Sequence, residues 1–213
     1  MKVYEIKSGN TNCYLIQMFR SGKWVLIDAG TADDKKFLEK IQQVTPLEQI
    51  SLLVLTHGHY DHVGYAAELQ QNYGVKILMH ADDQELVENG KMDFPPANNK
   101  IGKLIRWYHL RKRSKKIYPP FHPDIVINQQ TKLEEFPELE FLPLPGHTMG
   151  SIGVVYGEIL FAGDLMMNLF SPSPSWFAED FELLAQSMDT VKNRKLSMIY
   201  PGHGKRFPLR ELP

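Results

Sequence analysis

The sequence holds a single cysteine, Cys13, so no disulfide can form within the chain, which suits a reducing compartment. No apolar run approaches the roughly 18 residues that a membrane-spanning helix needs. The first seven residues, MKVYEIK, lack the apolar core and small-residue cleavage site of a secretory signal. These absences point to a cytoplasmic protein with no membrane partner. Net charge is nearly absent too: 24 Lys and Arg stand against 25 Asp and Glu, for a formal charge of -1. Global attraction to nucleic acid or to anionic membranes is thereby excluded, and any such preference must come from a local patch. No low-complexity segment and no internal repeat is visible.

What is present is an ordinary globular composition, 43% hydrophobic and 23% charged over 213 residues, enough for one compact domain. Residues 2–7, 12–19 and 23–28 read as strands. Asp28-Ala29-Gly30 then closes a strand and leads toward a helix, with Thr31 placed as its N-cap and Phe37, Leu38 and Ile41 as its apolar stripe. Residues 51–55 (SLLVL) form a continuous apolar run, as expected of a strand buried on both faces. Tyr65, Ala66, Leu69 and Tyr73 recur at helical spacing, and Gly74 is a natural stop. A strand over 75–79 and a helix over 81–88 follow. The second half returns to strands at 138–144, 152–156 and 159–162, a helix at 180–191 and a strand at 196–200. Strands with interspersed helices in both halves predict sheets covered by helices.

The chemistry concentrates in Thr56-His57-Gly58-His59-Tyr60-Asp61-His62. Four potential metal ligands lie within six residues, and alternation sends His57 and His59 to the same side of an extended strand end. Imidazole and carboxylate suit Zn²⁺ first, and also Fe or Mn. The competing reading is solvated loop polarity. Three of only eight histidines in this pattern, directly after an apolar strand, make it the weaker one. His80, His109 and His122 stand alone and read as surface or satisfied core groups. Three later residues fit the same site: His147 in Pro145-Gly146-His147-Thr148, Asp164 in Ala162-Gly163-Asp164, and His203 in Pro201-Gly202-His203-Gly204. Each follows an apolar strand and has glycine beside it, where backbone can approach closely. Strand ends at one sheet edge are where open α/β sheets place their sites. Cys13, inside an apolar strand, reads as a small core residue.

In this order, His57-x-His59-x-Asp61-His62, His147, Asp164 and His203 resemble the metallo-β-lactamase superfamily, over most of the chain from Asp28 to His203. The resemblance implies an α+β fold, a four-layer αββα sandwich of two mixed sheets with helices on the outer faces. It implies two divalent metal ions, one held by His57, His59 and His147, the other by Asp61, His62 and His203. Asp164 would bridge them, and Asp28 would orient a ligand imidazole. A hydroxide shared by the two metals would be the nucleophile, with Asp61 as ligand and proton shuttle. Thr56, the complete His-x-His-x-Asp-His, Gly146-His147-Thr148 and Gly163-Asp164 look like the glyoxalase II branch of thioesterases. Full-length glyoxalase II carries a C-terminal helical domain that holds glutathione; here the sequence ends ten residues after His203.

The expected function is therefore a binuclear metal-dependent hydrolase acting on a thioester or a related activated acyl bond of a small molecule. A lactonase of the acyl-homoserine lactone type is the alternative. A β-lactamase, a phosphodiesterase, or a non-catalytic metal-binding or redox protein ranks lower. No nucleic-acid partner is expected, and nothing in the sequence fixes the oligomeric state. An insertion at about 93–123, with a helix near 98–113, carries Lys103, Arg106, Arg111, Lys112, Arg113, Lys115 and Lys116 with Trp107, Tyr108 and Tyr118. It reads either as a solvated helix face or as an active-site lid, in which Lys112 and Arg113 would meet an anionic substrate.

Overall fold

The computed structural model describes residues 2–90, 92, 94–111 and 118–212. The described residues form thirteen strands with helices interspersed among them. The first half contains β1 (Lys2–Ser8), β2 (Thr11–Gln17), β3 (Trp24–Ile27), β4 (Ile50–Val54), β5 (Lys76–His80) and β6 (Ile125–Ile127). The second contains β7 (Thr131–Leu133), β8 (Phe136–Pro143), β9 (Ile152–Tyr156), β10 (Ile159–Asn168), β11 (Ser173–Pro174), β12 (Met198–Gly204) and β13 (Phe207–Pro208). The helices are α1 (Phe37–Gln42), α2 (Tyr60–Val63), α3 (Ala66–Tyr73), α4 (Gln84–Asn89), α5 (Lys100–Arg111) and α6 (Phe181–Lys192). None of them is long and apolar enough to cross a membrane.

The ladder is mixed. From β3 to β6 the strands run parallel, β1, β2 and β3 are antiparallel, β8 to β10 form an antiparallel meander, and β10 pairs β12 in parallel. Side-chain alternation divides the apolar residues into three cores. Leu15, Leu26, Leu53 and Ile77 point to one face, where Phe37 and Ile41 of α1 and Leu69 of α3 cover them. Their neighbours Tyr14, Ile16, Val25, Val54 and Leu78 point to the other and meet Phe141, Val154 and Phe161 of the second half. Beyond that half, Leu142, Leu160 and Ile199 pack on Leu184, Met188 and Val191 of α6.

The expectation of two sheets is corrected in one respect. The hydrogen-bonded order is continuous, β6-β5-β4-β3-β2-β12-β10-β9-β8-β7. The halves join through one pairing, His203 with Thr11 between β12 and β2. Side chains reinforce this seam: Asn12 Nδ2 donates to Pro201 O at 2.9 Å and Gly204 O at 2.8 Å, and Tyr14 Oη donates to Pro201 O at 2.6 Å. A single backbone pairing is enough because side-chain donors take up the carbonyls that the diverging strands would otherwise leave unpaired.

Local expectations fared unevenly. Helix α3 ends at Gly74 as its spacing suggested. By contrast, the first helix begins only at Phe37, not after Thr31. Successive turns closed by Asp34 N to Thr31 O and Phe37 N to Asp34 O take up the intervening residues. The segment 81–88 splits into a 3₁₀ turn, Ala81–Asp83, followed by α4. Strands β10 and β12 run past their expected ends at 162 and 200, so Asp164 and His203 sit within strands rather than after them.

The seam generates a prediction. Asn12→Ala would strip the donor from two carbonyls in a region where water cannot fully replace it, and should destabilise the protein by about 1–3 kcal/mol. Urea denaturation measures this; an unchanged midpoint would show that the pairing of His203 with Thr11 suffices alone.

Candidate metal centre

The loop after β4 delivers four of the candidate ligands. His57 and His59 lie in its extended part, and Asp61 and His62 lie on the short helix α2. His147 comes from the loop between β8 and β9. Asp164 projects from β10 where its register with β12 shifts twice, between Phe161 and Gly163 and again between Gly163 and Met167. These bulges detach Asp164 from the ladder and turn it inward. Glycine is required at two adjoining points. Gly163 has φ 51°, and a Cβ there would lie 2.6 Å from Thr56 Oγ1; a Cβ on Gly202 would lie 2.3 Å from Asp164 Oδ1.

All seven groups converge. The potential ligand atoms of His57, His59 and His147 lie within 4.8 Å of one another, as do those of His57, His62 and Asp164 and those of Asp61, His62 and His203. His147 Nε2 is 2.9 Å from His59 Nδ1. Asp164 spans the cluster, with Oδ2 at 3.2 Å from His203 Nε2 and 3.5 Å from His147 Nε2, and Oδ1 at 3.4 Å from His62 Nε2. Asp61 Oδ2 lies 3.5 Å from His203 Nε2 and accepts from Thr11 Oγ1 at 3.1 Å.

Outer partners fix the ring orientations. His62 Nδ1 donates to Asp28 Oδ2 at 2.8 Å, His147 Nδ1 to Phe177 O at 2.8 Å, and His203 Nδ1 to Asn10 O at 2.9 Å. Thr56 Oγ1 donates to the Asp28 carboxylate at 2.9–3.0 Å, which leaves its lone pair to accept from His57 Nδ1 at 3.0 Å. In each ring the outer nitrogen is taken up by its partner and the inner one faces the cluster, where it would present a lone pair to a bound cation. Asp28 itself holds φ 62°, the only non-glycine residue with positive φ among those described. Its conformation is held by Asp28 N to Val54 O at 2.9 Å and Ala29 N to His62 O at 2.6 Å. It therefore orients two imidazoles, one directly and one through Thr56, where the sequence pointed to one.

Among the described residues three buried side-chain atoms find no hydrogen-bond partner: His57 Nε2, His62 Nε2 and Asp164 Oδ1. A buried polar atom without a partner is costly, and three of them facing one cluster mark the place of cations. Electrostatics divides the site in two. Burial, then the charge of neighbouring imidazoles, pushes the His57 pKa well below its usual value, and the same causes lower His59 to about 3. Burial lowers His147 as well, against the pull of Asp164. These three rings stay neutral, the form that binds metal. On the other side burial opposes charge, yet Asp28 and Asp164 outweigh it at His62 and raise its pKa well above the usual value. At His203 burial is outweighed by Asp164 and Asp61, and the pKa rises to about 9. A field that favours a proton there favours a cation held by the same groups. The residues present therefore fit a pair of divalent metal ions.

The site forms one wall of a cavity of about 680 Å³. Met92, Phe94, Ile105, Leu169 and Phe177 make its apolar side, and Lys7, Asn10 and Asp33 its polar rim. The loop 94–98 is tied to this wall by a bridge between Ala97 and Phe177 and by edge-to-face packing of Phe94 on Phe177 at 5.2 Å.

Sequence reasoning missed Asp83. This buried carboxylate accepts from Gly58 N at 2.7 Å, Thr148 Oγ1 at 2.8 Å and Gly150 N at 2.9 Å, and so ties the loop of His57 to that of His147. Its only sequence signal is an Asp-Asp pair near a helix start, which reads as ordinary N-terminal charge. Tyr118 is no rim group; its hydroxyl donates to Gly58 O at 2.9 Å beneath the metal loop. Cys13 is buried in the core, and burial, reinforced by Asp28, raises its thiol well above the usual range. His80 is buried and accepts from Asp82 N, while His122 is exposed beside Glu88. The side chain of His109 and residues Lys112 and Arg113 lie outside the described residues.

Comparison with known proteins agrees with this geometry. A family model described as the metallo-beta-lactamase superfamily matches residues 6–203. The chain is 29% identical to hydroxyacylglutathione hydrolase GloC of Haemophilus influenzae, over 96% of this chain and 90% of that protein. It is 28% identical to the probable metallo-hydrolase YflN of Bacillus subtilis, over 91% of this chain and 80% of that one. Among solved structures it resembles TTHA1623 in a di-iron-bound form, with TM-score 0.72 and 26% identity over 100% of this chain and 99% of that one. The chain belongs to the metallo-beta-lactamase superfamily, as a metallo-hydrolase.

Proposed function

We propose that the chain hydrolyses a thioester of the hydroxyacylglutathione type, or a related activated acyl bond, at a two-metal centre. The observation that carries this reading is the convergence of seven His and Asp side chains, three with orphaned buried atoms, beside a cavity that has both an apolar and a polar side and that His59, Asp61, His147, Asp164 and His203 line. His57, His59 and His147 would hold one cation, and Asp61, His62 and His203 the other, with Asp164 between. Zn²⁺ suits this donor set first, with Fe or Mn as alternatives. Bound there, the cations supply Lewis acidity and lower the pKa of water toward neutrality.

The rest falls to the chain's own residues. Asp28 and Thr56 keep two imidazoles in the ligand tautomer, so that little reorganisation is needed during reaction. Asp61, half-buried at the cavity wall and steadied by Thr11, is placed to take a proton and pass it to solvent. Phe94, Ile105 and Phe177 would shelter the acyl portion from water. The thioester reading is supported by the likeness to GloC, which extends over nearly all of both chains. Lys112 and Arg113, outside the described residues, are proposed to contact the anionic part of the substrate.

His59→Ala should lose turnover and bind fewer than two metal equivalents, with the fold retained at lower thermal stability. Full activity with normal metal content would remove His59 from the ligand set. Asp28→Asn should lower metal affinity or activity by about 10–100-fold, read by chelator competition and initial rates. Removing metal with a chelator should lower the Tm reversibly, because a ligand bound only to the folded state stabilises it. In a panel of a thioester, a lactone, a β-lactam and a phosphodiester, kcat/KM should be highest for the thioester by about tenfold or more. A lactone as the best substrate would replace the thioester reading while leaving the metal centre intact.

A further inference from the structure

Helix α5 turns an unusual face to solvent. Ile101, Leu104, Trp107, Tyr108 and Leu110 are each between 48% and 64% exposed. The other large apolar side chains exposed among the described residues are Phe19, Val126, Met149, Leu169 and Phe170. Half of that exposed apolar surface, counted by residue, thus sits on one twelve-residue helix. The same helix carries Lys100, Lys103, Arg106 and Arg111 and no acidic residue. The chain's formal charge of -1 hides this asymmetry. Its inward side consists of the buried Gly102, packed near Ala97 and Phe177, with Ile105 and Arg106. Arg106 is engaged there, donating from Nε to Pro95 O at 3.1 Å. On the outer side, the Arg111 guanidinium lies 4.5 Å from the centre of the Trp107 ring.

The position of this face matters as much as its chemistry. Ile105 of α5 and Leu169 line the metal-centre cavity together. Phe170, beside Leu169, is 85% exposed and stacks on Trp176 with ring centres 6.3 Å apart. Two segments far apart in sequence therefore both reach this cavity's wall and both carry exposed bulky apolar groups, and lysines and arginines are interleaved with them on the helix. A purely solvated helix face has no use for Trp, Leu and Ile, and an ordinary protein-binding patch has its lysines depleted. Apolar side chains that can enter an acyl layer, an aromatic ring at headgroup depth and cations beside them are the features of a helix that lies on an anionic lipid surface.

We propose that α5 and the Leu169–Phe170 turn dock the protein on an anionic lipid surface, beside the cavity that Ile105 and Leu169 line. Leu104, Trp107 and Phe170 enter the headgroup–acyl boundary, and Lys100, Lys103 and Arg111 meet lipid phosphates. The proposal goes beyond the hydrolase reading and does not depend on it.

Co-flotation of the full chain with vesicles tests it directly. The protein should float with phosphatidylcholine vesicles containing phosphatidylglycerol and stay behind with pure phosphatidylcholine. Binding should weaken when salt rises from about 0.05 M to about 0.5 M, as screening requires. Leu104→Ser with Trp107→Ser, and separately Lys100→Glu with Lys103→Glu, should each lower partitioning by about tenfold or more. These positions are exposed, so Tm and metal content should match the parent protein and exclude misfolding as the cause. No flotation on anionic vesicles, or flotation insensitive to both variants, would overturn the proposal. So would a stable dimer in sedimentation that the Leu104 and Trp107 substitutions dissociate, since the face would then belong to a second copy of the chain.

Discussion

The structure turns on a charge problem inside a closed space. Two imidazole nitrogens and a carboxylate oxygen are buried facing one cluster with no hydrogen-bond partner among the described residues. Buried acceptors at this density are tolerable only where cations occupy the space between them. The rest of the centre serves to keep those atoms pointed inward. Asp28, strained at positive φ, grips His62 and Thr56, and Thr56 in turn grips His57. Backbone carbonyls of Asn10 and Phe177 do the same for His203 and His147. The glycines at 163 and 202 leave out the Cβ atoms that would occupy the space.

Much of this was legible beforehand because it rests on short-range pattern. The apolar run SLLVL ends in His57-x-His59-x-Asp61-His62, and the period of a strand brings the first two imidazoles to one side. Glycine beside His147, Asp164 and His203 announced close backbone approach. What stayed hidden depends on long-range partners. The continuation of β10 and β12 through the site could not be read from residues 162–168 and 200–204, because bulges take their definition from the strand opposite. Asp83 escaped for a similar reason: a carboxylate next to another at a helix start looks solvated until Gly58, Thr148 and Gly150 are seen to donate to it. The continuous ladder likewise rests on one backbone pair, which no local period encodes.

The wall around the centre divides the labour differently. Loop 94–98, α5 and the turn at Leu169 give the cavity its apolar side, and none of them contributes to the metal cluster. Loops that carry no ligand can change without disturbing the lone pairs beneath them. A scaffold of this kind keeps its reaction chemistry while its rim adapts to different acyl groups, carriers or surfaces. Phe177 is the place where the two roles meet, since its ring faces the cavity while its carbonyl holds His147.

The seam between the halves has a kinetic meaning. Four of the converging groups lie before α3 and three after β8, so neither half of the ladder can assemble the cluster alone. Contacts of such sequence separation form late, after most loop-closure entropy has been spent. A chain leaving the ribosome therefore carries scattered histidines for most of its synthesis, and the group of Asp61, His62 and His203 is complete only when β12 docks on β2. Completion of that group becomes a report that β12 has found its place, and a chain that misfolds before that step keeps at most the ligands of His57, His59 and His147.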